Sequence, residues 1–309
     1  MKSLNQDDNV KLRSMRRLES LLGRSRKDIK RIAENSGRYY RPFPKRQGDK
    51  VRTIDNPTGE LKQIQKRIQE RILTDFELPE SMLGGVKGRS IKLNAKLHCG
   101  APTVVHLDLV KCFPRISNKV VYKAFVEHLG CTPRIAGLLT QLTTYRRRLP
   151  QGSPASTMLA NICLLRMHNE LRDVAQTNGS MLSFFVDDIG LSGNRPEVLI
   201  EQMIGIVRNH GHSVSHRKRK IMRSHEPQTL TGLSLNRRPL VPRTRRAQVR
   251  KQIYHWASQG NCTDELQRIR GAVNFVRWVS EHQGEALERT LSRAQSSTSA
   301  ESDRSRQGC

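Results

Sequence analysis

The amino-acid sequence predicts an α+β fold on three observations. Apolar residues recur at helical spacing along the first third of the chain and again near its end. One β-rich run, TVVHLDL at 103–109, stands between helical stretches. In MLSFFVDDIGLSG, two apolar arms flank an Asp-Asp pair in the pattern of a hairpin.

The elements follow in order. Val10, Met15, Leu18 and Leu22, then Ile29, Ile32 and Ala33, predict two basic helices within about 10–35. YYRPFPKRQGDKVRTIDNP reads as a basic hairpin with a turn at Gln47-Gly48-Asp49. Leu61, Ile64, Ile68 and Ile72 share one helical face, with Lys and Arg opposite. In a strand over 103–109, Val104, His106 and Asp108 share one face, while Val105, Leu107 and Leu109 share the other. His106 is expected to pack within that strand. A helical stretch over about 117–147 precedes Pro150-Gln151-Gly152, and another helix runs from Ala155 to about Ala175. A helix over about 263–282 carries Leu266, Ile269, Val273 and Val276. From Ser292 on, Ser, Arg and Gln dominate, and this tail is expected to be disordered. The resulting division is 1–235, 236–291 and a tail at 292–309.

Charge narrows the function. The 309 residues hold 55 Lys and Arg against 28 Asp and Glu, a net +27, which calls for a polyanionic partner. Nucleic acid is the leading candidate and an anionic membrane surface the weaker one. No stretch is long or apolar enough to span a bilayer. The N-terminus lacks an apolar signal-peptide core. The six cysteines form no CxxC pair, so free thiols in a reducing cytoplasm are expected, with neither zinc nor a disulfide framework. The expected location is cytoplasmic.

Asp108 lies at the end of an apolar strand, and Asp187 and Asp188 at the tip of an apolar hairpin. Carboxylates in such places cost desolvation unless a cation meets them. Magnesium, a hard ion, prefers such oxygens. Two ions about 3.5–4 Å apart can activate an attacking hydroxyl and stabilise a leaving pyrophosphate. A lone Asp-Asp is usually a solvated turn. Here Asp108, PQGSP at 150–154 and FVDD at 185–188 occur in order, about forty residues apart, along a strand–helix–hairpin layout that gathers strand-end carboxylates.

These residues carry a resemblance. HLDLVKCF, LPQGSPASTMLANI and FFVDDIGLSG resemble motifs A, B and C of reverse transcriptases. Phe185 stands where Tyr is usual, and Thr157 where Pro is common. KVRTIDNPTGELKQIQKRIQERIL looks like the fingers segment of bacterial retron enzymes. GRSIKLNAKLH carries their NAxxH signature, GHSVSHRKRKIM resembles motif D, and LTGLSLN resembles their VTG box, with Leu230 in place of Val. The resemblance covers roughly residues 10–280.

It implies a right-hand polymerase with fingers and palm over 1–235 and a helical thumb over 236–291. Asp108, Asp187 and Asp188, with the carbonyl of Leu109, would hold two Mg2+ ions. Phe113 would be the steric gate against a ribose 2′-OH. Gln151 and Gly152 would line the nucleotide pocket, Gly152 letting backbone approach the ligand. Arg52, supported by Lys50, would grip the triphosphate. Lys218 would be the motif D lysine that protonates pyrophosphate, although Arg217 or Lys220 could fill that place. Asn94, His98, Thr231, Gly232, Arg245 and Arg246 would contact RNA; for His98, a buried, backbone-satisfied histidine is an equal alternative. The implied partners are a cognate structured noncoding RNA, its DNA product, dNTPs and an effector protein encoded nearby, and the implied role is antiphage defence. The rivals are a group II-like or orphan reverse transcriptase priming from a 3′-OH, and a non-catalytic RNA-binding scaffold.

Overall fold

The computed structural model describes residues 12–47, 50–258 and 262–307. In chain order the elements are helices α1 (Met15–Leu22) and α2 (Arg26–Glu34), strands β1 (Tyr40–Gln47) and β2 (Lys50–Pro57), and helices α3 (Gly59–Ile68) and α4 (Ile91–Leu97). Strand β3 (Thr103–Asp108) and helices α5 (Cys112–Arg115), α6 (Asn118–Glu127), α7 (Pro133–Thr143) and α8 (Ser156–Thr177) follow. Then come strands β4 (Met181–Phe185) and β5 (Asp188–Gly193), helix α9 (Ile200–Asn209), and strands β6 (Lys220–Arg223), β7 (Thr229–Leu230) and β8 (Leu233–Ser234). Helices α10 (Arg243–Ser258), α11 (Thr263–Val279) and α12 (Glu281–Gln307) complete the order.

Two compact units result. One comprises residues up to Ser90 and Val105–Ile221; the other comprises Ile91–Val104 and the chain from Met222 on. The sequence placed the boundary between the first two of its three segments at 235/236. The packing places it at 221/222 and adds an earlier segment, because Met222, Leu230, Leu233 and Leu235 share one core with Val249, Ile253 and Val273.

In the first unit, β1 and β2 form the expected antiparallel hairpin, Tyr40 opposite Pro57 and Gln47 opposite Lys50. Gly48 and Asp49 of the expected turn lie outside the described residues, as does the Lys50 side chain. A sheet of order β4-β5-β3-β6 carries the apolar strands. The period-2 rule holds in β3: Val105 and Leu107 enter the core of the first unit, and Val104 that of the second. The helical stretch expected over 117–147 is two helices, α6 and α7. Gly130 takes φ 59 and Pro133 starts the second, so the chain turns between them.

Buried Gln65 ties several of these pieces together. Its amide donates to the Tyr40 hydroxyl at 2.9 Å and the Leu142 carbonyl at 2.8 Å, while its oxygen accepts from Ser153 Oγ at 2.9 Å. A polar hub so deep is tolerated because it is bonded on both ends.

In the second unit, α10, α11 and α12 pack around Ile253, Val276, Leu287 and Leu291. The tail expected to be disordered is instead helical to Gln307. Leu287, Leu291 and Ala294 continue a helical apolar stripe into this core, a signal that the Ser-, Arg- and Gln-rich composition hides. Among the described residues, no helix is long and apolar enough to cross a membrane.

Candidate active site

The site begins with backbone hydrogen bonds that bring distant segments together. Leu109, one residue beyond β3, donates its N–H to the Asp187 carbonyl at 2.9 Å. This sets the end of β3 beside the hairpin tip. On the other side, the Ser215 N–H donates to the Asp108 carbonyl and the Val110 N–H to the Ser213 carbonyl, each at 2.8 Å. The turn at His216–Lys218 is thereby delivered to Asp108. Of the three candidates in HRKRK, it is Lys218 whose ammonium meets the Asp108 carboxylate.

The tip itself is strained. Phe185 pairs with Asp188, leaving Val186 and Asp187 as the two turn residues. Val186 takes φ 62, a left-handed backbone that a β-branched residue rarely adopts. Such a conformation costs about 1–3 kcal/mol and persists only where its surroundings enforce it. The enforcing segment is Leu78–Gly85. Phe184 donates its N–H to the Ser81 carbonyl and accepts from Leu83 N–H, both at 2.7 Å. A Cβ at Gly84 would stand 2.5 Å from Val186 Cγ2, so only glycine lets the segment lie this close. Arg89 bonds the carbonyls of Leu78, Pro79 and Met82, and Asn161 donates to the Gly84 carbonyl at 2.8 Å.

Asp108 is 6% exposed. Burial first, then the neighbouring Asp188 and Asp108 charges, push the Asp187 carboxyl above the usual carboxylate range; Lys218 opposes the rise. Asp188 accepts a hydrogen bond from His106 Nε2 at 2.9 Å. His106, expected only to pack within its strand, is therefore a partner of the third carboxylate.

A cleft of ≈ 660 Å³ opens over this floor. Asp108, Leu109 and Asp187 line it together with the predicted Arg52, Phe113, Gln151 and Lys218. Phe113 packs against the core and also lines the cleft. Gly152 has φ 127, and a Cβ there would meet Ile54 Cγ2 at 2.7 Å. The approach of β2, a neighbouring strand, is thus one reason for a glycine here.

That approach involves residues the sequence reading missed. Buried Asp55 donates its N–H to the Gln151 carbonyl at 2.8 Å, and its carboxylate accepts from the Gln151 N–H at 3.4 Å and from Arg148 at 3.5 Å. Asp55 and Arg148 both line the cleft. An acid inside the strand-like TIDNP is the signal that could have marked the first.

The candidate RNA-contacting residues divide. Asn94, on the inward face of α4, and His98, just beyond its end, are 1% and 0% exposed, so neither side chain is presented to a ligand. His98 is buried, as the packing alternative has it. Burial depresses the His98 pKa to about 4. Asn94 Nδ2 reaches Thr231 Oγ1 at 3.3 Å, while Gly232 and Arg245 are exposed.

Among the described residues, no three carboxylate, imidazole or thiol groups converge as a ready-made metal cage. The donor set nevertheless suits a hard divalent cation. Asp187 is disfavoured as an anion by its acidic neighbours, and Asp108 already has a cation, Lys218, against it.

A sheet that gathers two acids at its strand ends and a third in the adjoining hairpin turn, beneath a cleft rimmed by Arg and Lys, is the fold and site of a right-hand, template-directed polymerase. The chain belongs to the reverse transcriptase (RNA-dependent DNA polymerase) family, whose model matches residues 43–236. It is an enzyme of that class, and RNA is the template the class copies. The chain is 26% identical to the Retron Ec86 reverse transcriptase of Escherichia coli over 243 residues, which is 77% of this chain and 75% of the relative. It is 28% identical to the Retron Se72 reverse transcriptase of Salmonella heidelberg over 259 residues, 80% and 68% of the two chains. In fold it resembles the telomerase of Candida albicans solved with a telomeric RNA fragment, with a TM-score of 0.51 at 11% identity. The match covers 81% of this chain and spans 56% of the telomerase chain.

Proposed function

We propose that this chain is a retron reverse transcriptase that copies part of its own structured noncoding RNA into branched, single-stranded DNA. The observation that carries the reading is the cluster of Asp108, Asp187 and Asp188 at one end of the sheet, with Lys218 against Asp108. The side chains of Asp108, Asp187 and Asp188 and the carbonyl of Leu109 would hold two Mg2+ ions. Bound there, the ions supply activation of the priming hydroxyl and stabilisation of the leaving pyrophosphate.

The other residues act around that centre. Arg52, with Lys50 beside it in sequence, grips the triphosphate through a planar guanidinium fork. Phe113 excludes a ribose 2′-OH and so selects dNTPs. Gln151 positions the incoming nucleotide on a loop that Asp55 and Gly152 hold against β2. Lys218, against Asp108, donates a proton to the departing pyrophosphate in this reading. In the second unit, Thr231, Gly232, Arg245 and Arg246 contribute to binding the noncoding RNA, where shape and phosphate contacts dominate. Priming from an internal guanosine 2′-OH, a neighbouring effector protein and a role in phage defence complete the proposal by likeness to the retron relatives.

The test is to express the chain with its native upstream locus and analyse the nucleic acid that co-purifies, beside an Asp187→Ala, Asp188→Ala double variant. RNA-linked DNA that is lost in the variant and shortened by debranching supports the reading. Variant-sensitive but unbranched DNA overturns 2′-OH priming. RNA alone in both samples overturns DNA synthesis by this site.

A further inference from the structure

Helix α11 buries Ile269, Val273, Val276 and Val279 in the core of the second unit, leaving its opposite side to solvent. Trp278 lies on that side, and Phe275, one turn before it, packs partly against the core. Phe275 is half-buried, and Trp278 is 47% exposed, an unusual degree for a residue of that size. Their ring centroids are 6.1 Å apart with planes tilted by 39°. The Arg245 guanidinium carbon from α10 stands 4.5 Å from the Phe275 centroid. The Lys92 ammonium from α4 stands 5.8 Å from the Trp278 centroid and donates to the Trp278 carbonyl at 2.7 Å. Three helices thus build one row of cation, ring, ring and cation: Arg245, Phe275, Trp278, Lys92.

The charges of this row are not spent inside the protein. Among the described residues, neither Arg245 nor Lys92 has a carboxylate within ion-pair distance, whereas the adjacent Arg277 is paired with Glu288 at 3.0 Å. A half-exposed indole, with one unneutralised cation against its own ring and another beyond the neighbouring Phe275, suits a flat, π-bearing group that carries negative charge on either side. An unpaired nucleobase and its flanking phosphates have that chemistry. A base inside a duplex does not, because its faces are already stacked. The net charge of +27 favours a polyanion over a protein or lipid partner.

We propose that Trp278 is a stacking platform for a single unpaired nucleobase, and that Lys92 and Arg245 hold the phosphates flanking it. The proposal rests on the reading of this chain as a nucleic-acid polymerase, and it names a further binding site within the second unit. The unpaired base could belong to a loop or bulge in RNA or to single-stranded DNA; both offer the same chemistry.

Binding of the full chain is measured with three labelled probes: an RNA hairpin with a uridine-rich loop, a single-stranded oligothymidylate and a fully paired, blunt RNA duplex. Wild type is compared with Trp278→Ala, Trp278→Phe, and the separate variants Lys92→Ala and Arg245→Ala. Trp278→Ala should weaken the looped or single-stranded probe about tenfold and leave the duplex within twofold. Trp278→Phe should restore most of the loss. Lys92→Ala and Arg245→Ala should each lower the slope of log affinity against log salt by about 0.7. The looped RNA losing more than the DNA identifies RNA as the source of the base; the reverse identifies DNA.

Equal affinities of wild type and Trp278→Ala for every probe overturn the platform while leaving nucleic-acid binding intact. Wild type binding none of the probes overturns the polymerase reading and the platform with it. Trp278-dependent binding to phosphatidylserine vesicles without any nucleic-acid effect assigns the row to a membrane and overturns the proposal. Should Trp278→Ala fail to fold, judged by thermal melting, the salt slopes of the two cation variants decide.

Discussion

His106 and Asp188 are bonded across neighbouring strands, the imidazole Nε2–H of β3 donating to a carboxylate oxygen of β5 at 2.9 Å. The bond fixes one Asp188 oxygen, and in the proposed reading the other is the one that holds Mg2+. His106→Leu should therefore raise the Mg2+ concentration needed for half-maximal primer extension, by roughly 10–100-fold as for other partners of ligating side chains. His106→Gln, which can still donate, should fall between. A His106→Leu enzyme with the wild-type Mg2+ dependence would sink the assignment.

Lys218 meets Asp108 across 110 residues of sequence. If it supplies the proton to pyrophosphate, Lys218→Ala should slow single-nucleotide addition about a hundredfold. Lys218→Arg should slow it too, because a guanidinium does not release protons near neutral pH. The check is single-turnover incorporation at saturating dNTP; an unchanged rate for Lys218→Ala removes the proton-donor role.

Gly84 tests the support beneath the strained tip. Gly84→Ala would place a Cβ 2.6 Å from the Val186 backbone nitrogen, which cannot yield as a flexible side chain could. The expected outcome is a stability loss of about 1–3 kcal/mol in urea unfolding together with sharply reduced extension. Gly137→Ala, on α7 with nothing within 4 Å of the added Cβ, should be neutral or stabilising by up to about 1 kcal/mol. Equal behaviour of the two variants would show that the tip is not held from below.

His98 makes stability depend on pH. Its folded pKa lies at about 4 against 6.5 for the free side chain, with burial as the cause. Between those values the unfolded chain binds a proton that the folded chain refuses. Stability is therefore full above pH 6.5 and falls as the pH drops toward 4, by roughly 3 kcal/mol from this residue. His128, His168 and His212 are depressed by burial as well. His98→Gln should accordingly flatten the fall without abolishing it, read from melting temperatures across that range. An unchanged profile would mean His98 is not the group.

Phe113 governs sugar selection in the proposed reading. Phe113→Ala should lower the ratio of kcat/KM for dNTP over NTP by at least tenfold, mostly by admitting NTPs. Primer extension with each nucleotide class measures it; an unchanged ratio would leave Phe113 as a packing residue only.

The sequence by itself determined the first hairpin, the strands that carry the acids, and the class of enzyme. A period-2 run ending at Asp108, and two apolar arms around Asp187-Asp188, are local patterns that fold as they read. Net charge called for a polyanionic partner. What the tertiary structure decided was everything that depends on residues far apart in the chain. His106 read as a packing residue because its partner lies 82 positions away. Asp55 drew no notice because the loop it pins is nearly a hundred residues on. The register of HRKRK was open until Ser215 bonded the Asp108 carbonyl and delivered Lys218. Composition concealed the final helix, since its inward face needs only a few apolar side chains such as Leu291 and Ala294. Local periodicity selects an element and its buried face, but which polar groups meet depends on how the chain returns on itself. That return is set by long-range packing and hydrogen bonding, which no single window of sequence contains.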